Sequence, residues 1–551
     1  MALADKHVMR RPEHKLSDDL PAVWPGWLIA LVVSFSLYAA TASRGAQWQD
    51  SGQHILRILT GELVNPGGLA LSHPVHFWFG SAACVLTPSE PALGITLVSA
   101  LGAALAVANV FGCVVTLTRS RTAAALAACS LAIAHTFWQL ATITESYSLT
   151  VALLSGELWA IAAYGRRHAP RCMYLAALCN GLTVSNHLQG AITSPLLLGL
   201  GLIAWTRGSA KGRHVLVAVL LAFTASLPYT ALVALEAFRT GDVGGAIHSA
   251  LFGERFAGAV LNVGLSTRTI AICLAFTLLS FPNLTLPLAM IGLRRGRDVM
   301  ESVATRRYLA TALLLHALFV IRYNVIDAHT FLLPTFVLVC VYAGVGAGWI
   351  IRRARSARGC QCEPIGSESG LGAGEGEPDP RASARAKSHA AATTAAVPRL
   401  VIKLAVSMLI ITPLVYAIAP EAAHRANVLR GVERDKPYRD DYRYLFWPWS
   451  VADRSAERMA SHAVRLASPD GTIIVEDPMA EFAVRYVALR ENLPRILVIR
   501  PKGSESAILE SIRAHRPVVL VPATRGKAVT PATKGDWNRE GDLLKLQVER
   551  E

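Results

Sequence analysis

The chain has 551 residues, 52% hydrophobic and only 17% charged, with a formal net charge of +15. An average soluble chain carries about 25% charged residues. Repeated apolar runs match the roughly 20 residues needed to cross a hydrocarbon core, which excludes a soluble enzyme and predicts a polytopic membrane protein. The basic residues fall in short loops between those runs, where they set orientation, and no basic motif of a known nucleic-acid-binding fold appears.

An N-terminal segment, residues 1–23, carries Arg10, Arg11 and Lys15. The first apolar run is too long for a signal-peptide core, lacks a cleavage-type end and is followed by many more. Eleven transmembrane helices are predicted, at about 24–43, 93–117, 122–136, 147–164, 172–186, 191–206, 214–235, 266–293, 308–321, 331–351 and 400–419. The connections after spans two, four, six, eight and ten are strongly basic, for example "RRHAPR" and "RRARSAR". By the positive-inside rule these face the cytoplasm with the N-terminus, and the C-terminus lies outside. Residues 352–399, rich in Gly, Ala, Ser and charge, read as a disordered cytoplasmic linker. The nine cysteines give no disulfide framework, and the lone Cys360-x-Cys362 in that linker is a weak zinc signal.

Residues 420–551 read as a small extracytoplasmic α/β domain. "GTIIVED", "RILVIR", "RPVVLVPA" and "LLKLQVE" have strand character, and "SAERMASHAVRLA" and "SESAILESIRAH" have helical periodicity. No phosphate-binding Gly loop is present in it.

The outward connections collect the unusual residues. The first, a long loop over 44–92, has Asp50, His54, Arg57, His73 and His76. Later ones hold Glu145, His187, Asp242, Arg255, Arg322, Tyr323, Asp327 and His329. Each has a bland reading. Asp50 precedes "HILRIL", a short amphipathic helix expected to lie on the membrane, where an acid also caps. Trp48 suits interface anchoring. His73 and His76 are metal ligands, proton donors or interface residues, and Glu145 complements a helix dipole. Arg255 and Arg322 neutralise headgroups generally or a lipid-linked phosphate specifically. A transporter needs polar groups near the membrane midplane. Acids, histidines and arginines gathered on one side point instead to a reaction site at the outer surface.

Six stretches in order carry a resemblance: "WQDSGQH", "SHPVH", "TFWQLATITESYSL", "SNHLQGAITSP", "TGDVGGAIHSALFGERF" and "YNVIDAHTFLLPTFVLVCVYAGVG". They resemble the GT-C fold membrane glycosyltransferases, in the group that includes the eukaryotic O-mannosyltransferase acting on plexin IPT domains and its bacterial relatives. The resemblance covers about residues 24–351, and is weaker at "YRDDYRYLFWPWSVADRSAE". It implies an inverting enzyme of the inner membrane, its donor a polyprenyl-phosphate sugar such as mannose, and its acceptor a protein or glycan hydroxyl. Asp50 resembles the first-loop acid used as base or metal ligand. His73, Glu145 and His187 then line the catalytic pocket. Arg255 and Arg322, with Asp242, Asp327, Tyr323 and His54, hold donor phosphate and substrate. A divalent metal, Mg or Mn, would sit on Asp50 and His73 if one is used. The sequence departs from the family pattern at Gln53, at Val75–His76 and at Leu188. The alternatives are a transporter or flippase for a lipid-linked sugar, and a non-catalytic assembly subunit.

Overall fold

The computed structural model describes residues 22–325, 327–359, 380–431, 433–502, 505–527 and 537–547. The N-terminal helices are α1 (Trp24–Thr41), α2 (Gln49–Thr60), α3 (Pro74–Leu86), α4 (Pro91–Thr118), α5 (Arg121–Ala132), α6 (His135–Ala141), α7 (Tyr147–Arg167) and α8 (Pro170–Asn186). Then follow α9 (Ser194–Thr206), α10 (Gly212–Thr240), α11 (Val243–Phe252), α12 (Ala257–Val260), α13 (Thr267–Ser280), α14 (Thr285–Arg295), α15 (Val303–Arg322), α16 (Leu333–Gly359) and α17 (Pro380–Arg425). Among the described residues eight helices are long and apolar enough to span a membrane, or ten if each of two bent pairs counts as one span. The chain is an integral, multi-pass membrane protein.

Each of the eleven expected spans has a helical counterpart, and three of them depart from one continuous full-length helix. The expected span 266–293 is two helices, α13 and α14, bent by 103° at Phe281–Leu284. The expected third span breaks likewise, α5 to α6, by 67°. The fifth, α8, has only 17 residues. Of the expected linker, residues 360–379 and its Cys360 and Cys362 lie outside the described residues, and helix covers both flanks. Residues 1–21 also lie outside.

The helices α4 and α16 form the centre of the bundle, whereas α1 and α17 are mostly open on their outer faces, as lipid contact requires. Small residues let the central helices touch: a Cβ on Gly346 would strike the Leu288 carbonyl of α14. The basic connections share one end of the bundle. There Arg166 donates to the Thr116 carbonyl at 2.8 Å, Arg352 to the Thr118 carbonyl at 3.1 Å, and Arg119 meets Glu301 at 3.5 Å. The α2–α3 segment and the C-terminal domain sit at the other end.

That domain comprises α18 (Asp441–Phe446), α19 (Ser455–Ala467), β1 (Thr472–Val475), α20 (Pro478–Arg490), β2 (Leu497–Ile499), α21 (Glu505–Arg513), β3 (Val518–Val521), β4 (Trp537–Glu540) and β5 (Leu543–Leu546). Its sheet has the order β2-β1-β3-β5-β4, parallel among β1, β2 and β3 and antiparallel beyond. The four expected strands and two expected helices are present. The helices α18 and α20 and the strand β4 are additions to the expectation.

The helix α2 does not lie on the membrane. Its apolar residues Ile55 and Ile58 pack in one core with Ile95 of α4 and Ala480, Ala483 and Val484 of α20. The C-terminal domain covers the apolar face that the sequence assigned to lipid.

Candidate active site

The site is built around the first turn of α2. Gln47 fixes the approach from the membrane side: its amide donates to Thr96 Oγ1 at 2.9 Å and accepts from the Thr144 amide at 2.8 Å. Trp48 is buried rather than anchored in the interface, and its Nε1 donates to Ser455 Oγ at 2.8 Å. Beside it, the Ala46 amide donates to Glu457 Oε2 at 2.7 Å, and Arg439 lies over the Trp48 ring. Gly52 has no room for a side chain, since a Cβ there would strike the Gln47 carbonyl. Asp50 is the second residue of the helix, and no side chain caps α2. Capping is therefore not its role, although the helix N-terminus favours its ionised form.

Three acids converge here from three elements. Ser51 Oγ donates to Glu145 Oε1 at 2.9 Å, and Glu145 is further fixed by its backbone bonds to Ser99. Glu145 is buried and Asp50 is open to solvent. Protein nonetheless crowds Asp50. That desolvation, with the charge of Asp327, raises its pKa to about 6. Burial, then the Asp50 charge, holds Glu145 well above the usual carboxylate range. Burial also raises Asp327, against the opposing pull of Arg434.

Four histidines form a second group. His73 stacks on His187 at 5.1 Å, and His54 contacts His73 at 5.5 Å and His76 at 5.2 Å. Desolvation keeps His54 and His73 neutral, His73 falling to about 4. Tyr147 joins the groups, its ring 5.2 Å from His187. Asn186 locks this arrangement. Its carbonyl meets His73 Nδ1 at 2.7 Å, its Oδ1 accepts from the His76 amide at 2.9 Å, and its Nδ2 donates to Ser146 and Thr150. His73 enters α3 with a φ of 50°, a left-handed conformation that such packing must hold in place. Below, Glu157 of α7 accepts from Tyr308, Asn180 and Thr193, fixing the turn Leu188–Ile192 that follows His187.

The remaining expected residues divide. Asp327 joins the acids. Tyr323 is buried and lies 4.8 Å from Phe331, which itself packs on Tyr147. Asp242 does not join the cluster: it caps α11 by accepting from the Gly245 amide at 2.8 Å. Arg322 is occupied through Nη1, which donates to the Val260 and Asn262 carbonyls at 2.7 and 2.6 Å. Arg255 is exposed on the loop after α11, which is tied to the first loop by the Glu254 amide to Gly67 carbonyl bond. Arg57 is buried and donates to the carbonyls of Glu62, Leu63, Leu71 and Ser72, so it shapes the first loop. Gln53 pairs with the Asn65 amide in both directions, and Leu188 packs towards Tyr229, so these departures serve the loop and the core. Sequence reasoning placed Asn186 among the outward polar residues without a role, and missed Arg434. Asn186 adjoins His187 in "SNHLQG", but nothing in its spacing announces its bonds.

Among the described residues no group of three or more His, Cys, Asp or Glu side chains is placed to hold a metal ion. His73 Nδ1 bonds to the Asn186 carbonyl, which orients the ring and leaves Nε2 as its second nitrogen.

The fold is shared with known enzymes. The chain is similar to ArnT from Cupriavidus metallidurans bound to undecaprenyl phosphate, with a TM-score of 0.55 and 16% identity over 95% of this chain and 97% of that one. It is equally similar to the apo ArnT structure, with a TM-score of 0.55 and 15% identity over 95% and 98% of the two chains. No curated protein matches the sequence. The chain thus has the GT-C fold of these membrane glycosyltransferases. In sequence, residues 50–210 match the protein O-mannosyl-transferase TMEM260 N-terminal domain, a match that begins at Asp50 and includes Glu145 and His187.

Asn186→Ala tests the lock. It strands buried partners on α3 and α7 at a cost of about 1–3 kcal/mol each. Thermal unfolding in detergent is expected to fall by several degrees, with Asn186→Gln no substitute because of its length. An unchanged midpoint would show that the histidines need no such support.

Proposed function

We propose that the chain transfers a sugar, with inversion, from a polyprenyl-phosphate donor to a hydroxyl of a protein or glycan. The convergence of Asp50, Glu145 and Asp327 beside an open helix end carries this reading. The undecaprenyl phosphate named for the ArnT structure supports the donor class, and the family match favours mannose. Asp50 alone of the three is both solvent-open and has a pKa of about 6, so near neutral pH it is an ionised base. It removes the acceptor proton as that oxygen bonds to the anomeric carbon. The bond from that carbon to the phosphate oxygen breaks, and its electron pair leaves on the phosphate. Glu145, kept protonated, orients Ser51 and a sugar hydroxyl. Arg255 and Arg434 are the cations disposed to receive the phosphate, with His73 and His187 walling the pocket.

The reaction is placed on the face opposite the basic loops, with the C-terminal domain outside the cytoplasm. Gathering of those loops at one end of the bundle supports this orientation. In a background lacking Cys360 and Cys362, a cysteine at Arg458 is expected to react with a membrane-impermeant thiol reagent in intact cells, and one at Gly372 not to react. The reverse pattern refutes the sidedness.

Asp50→Asn tests the chemistry. It keeps size but loses the base, a change that typically costs about 10²–10⁴-fold in rate. Transfer from the donor lipid is expected to drop at least about a hundredfold at matched protein level, with donor binding retained. A rate within a few-fold of wild type assigns the base elsewhere.

A further inference from the structure

A recess opens between the start of α2 and the C-terminal domain. We propose that it receives the acceptor, and that the acceptor is a saccharide chain. This rests on the glycosyl-transfer reading above. Three observations carry it.

The recess adjoins the acid group through Ser51. Ser51 lines it, and the Ser51 hydroxyl donates to Glu145 Oε1 at 2.9 Å. Ser51 is thus the residue that the recess and the acid group share.

Its wall is aromatic and charged in the proportion a sugar needs. Trp447 and Trp449, with centroids 5.8 Å apart, and Tyr444 present partly exposed rings. Ring faces take the C–H faces of pyranoses, while charged tips bond their hydroxyls. Those tips are present: Arg443 lies over Trp447 and pairs with Asp440 at 3.4 Å, and Asp453 stands beyond. The wall is also preformed. The Ser450 and Val451 amides donate to the Thr41 carbonyl, Thr142 Oγ1 donates to the Pro448 carbonyl at 3.1 Å, and Gln139 donates to the Tyr444 carbonyl at 2.9 Å. These bonds stitch "WPWS" to α1 and α6, so little ordering cost opposes binding.

An extended polypeptide would instead favour a sheet edge. The outermost strands, β2 and β4, contribute no residue to the recess.

The test compares cells expressing wild type, Trp449→Ala, Trp449→Phe and Arg443→Ala, with released surface glycans and tryptic glycopeptides weighed separately by mass spectrometry. Wild type is expected to add one sugar to a glycan. Trp449→Ala and Arg443→Ala are expected to lower that product at least about tenfold, the scale of truncating an aromatic or arginine anchor. Trp449→Phe restores most of it, and purified variants still bind undecaprenyl phosphate. Should Trp449→Ala not accumulate, the exposed Arg443→Ala decides. A sugar added to polypeptide, or a glycan product within about twofold of wild type in Arg443→Ala, overturns the saccharide recess alone. Addition to neither class by wild type overturns glycosyl transfer itself, and the recess with it.

Discussion

The grip on the first turn of α2 is the interaction on which the site depends. Gln47 ties the turn to α4 and to the Thr144 loop, and Trp48 and Ala46 tie it to Ser455 and Glu457 of the C-terminal domain. A carboxylate on a free loop would sample many positions. One that rides on a helix end held from both sides is fixed by packed neighbours. The C-terminal domain is thus part of what aims Asp50, and its α20 replaces lipid as the cover for Ile55 and Ile58.

That placement has an electrostatic consequence. Three carboxyls brought together with little water cannot all ionise, and their surroundings separate them. Glu145, buried and accepting from Ser51, keeps its proton. Asp50, open on one side and with its pKa raised to about 6, is ionised near neutral pH, as the proposed base must be. The histidines, neutral through burial and locked by Asn186, add shape and hydrogen bonds without adding charge.

Much of this was legible in the sequence, for physical reasons that differ by residue. Apolar runs and basic loops gave the membrane class, because hydrocarbon thickness and charge bias are imposed by the bilayer itself. Asp50, His73, Glu145 and His187 were found as polar residues at helix ends, where solvation or function must explain them. What failed was whatever depends on a partner distant in the chain. Ile55 looked lipid-facing because α20 is more than 400 residues away, and "PMAEFAVRYVALR" itself was not read as a helix. The break at Phe281–Leu284 falls on Pro282 and Asn283, and the one after Ala132 precedes His135 and Thr136, short polar interruptions that a hydropathy average over a whole span smooths away. Asp242 and Arg322 looked functional, but one caps a helix and the other binds loop carbonyls.

The central claim is that Asp50 is the base and that Asp327 tunes it. The pH dependence of glycosyl transfer tests it most directly. Asp50 must lose its proton to act, so the rate should fall as pH drops through about 6. Asp327→Asn removes a negative neighbour that raises the Asp50 pKa, so the acid limb should move to lower pH while the neutral-pH protein remains folded. An acid limb that stays in place in Asp327→Asn, or a wild-type rate that is flat across that range, would contradict the assignment.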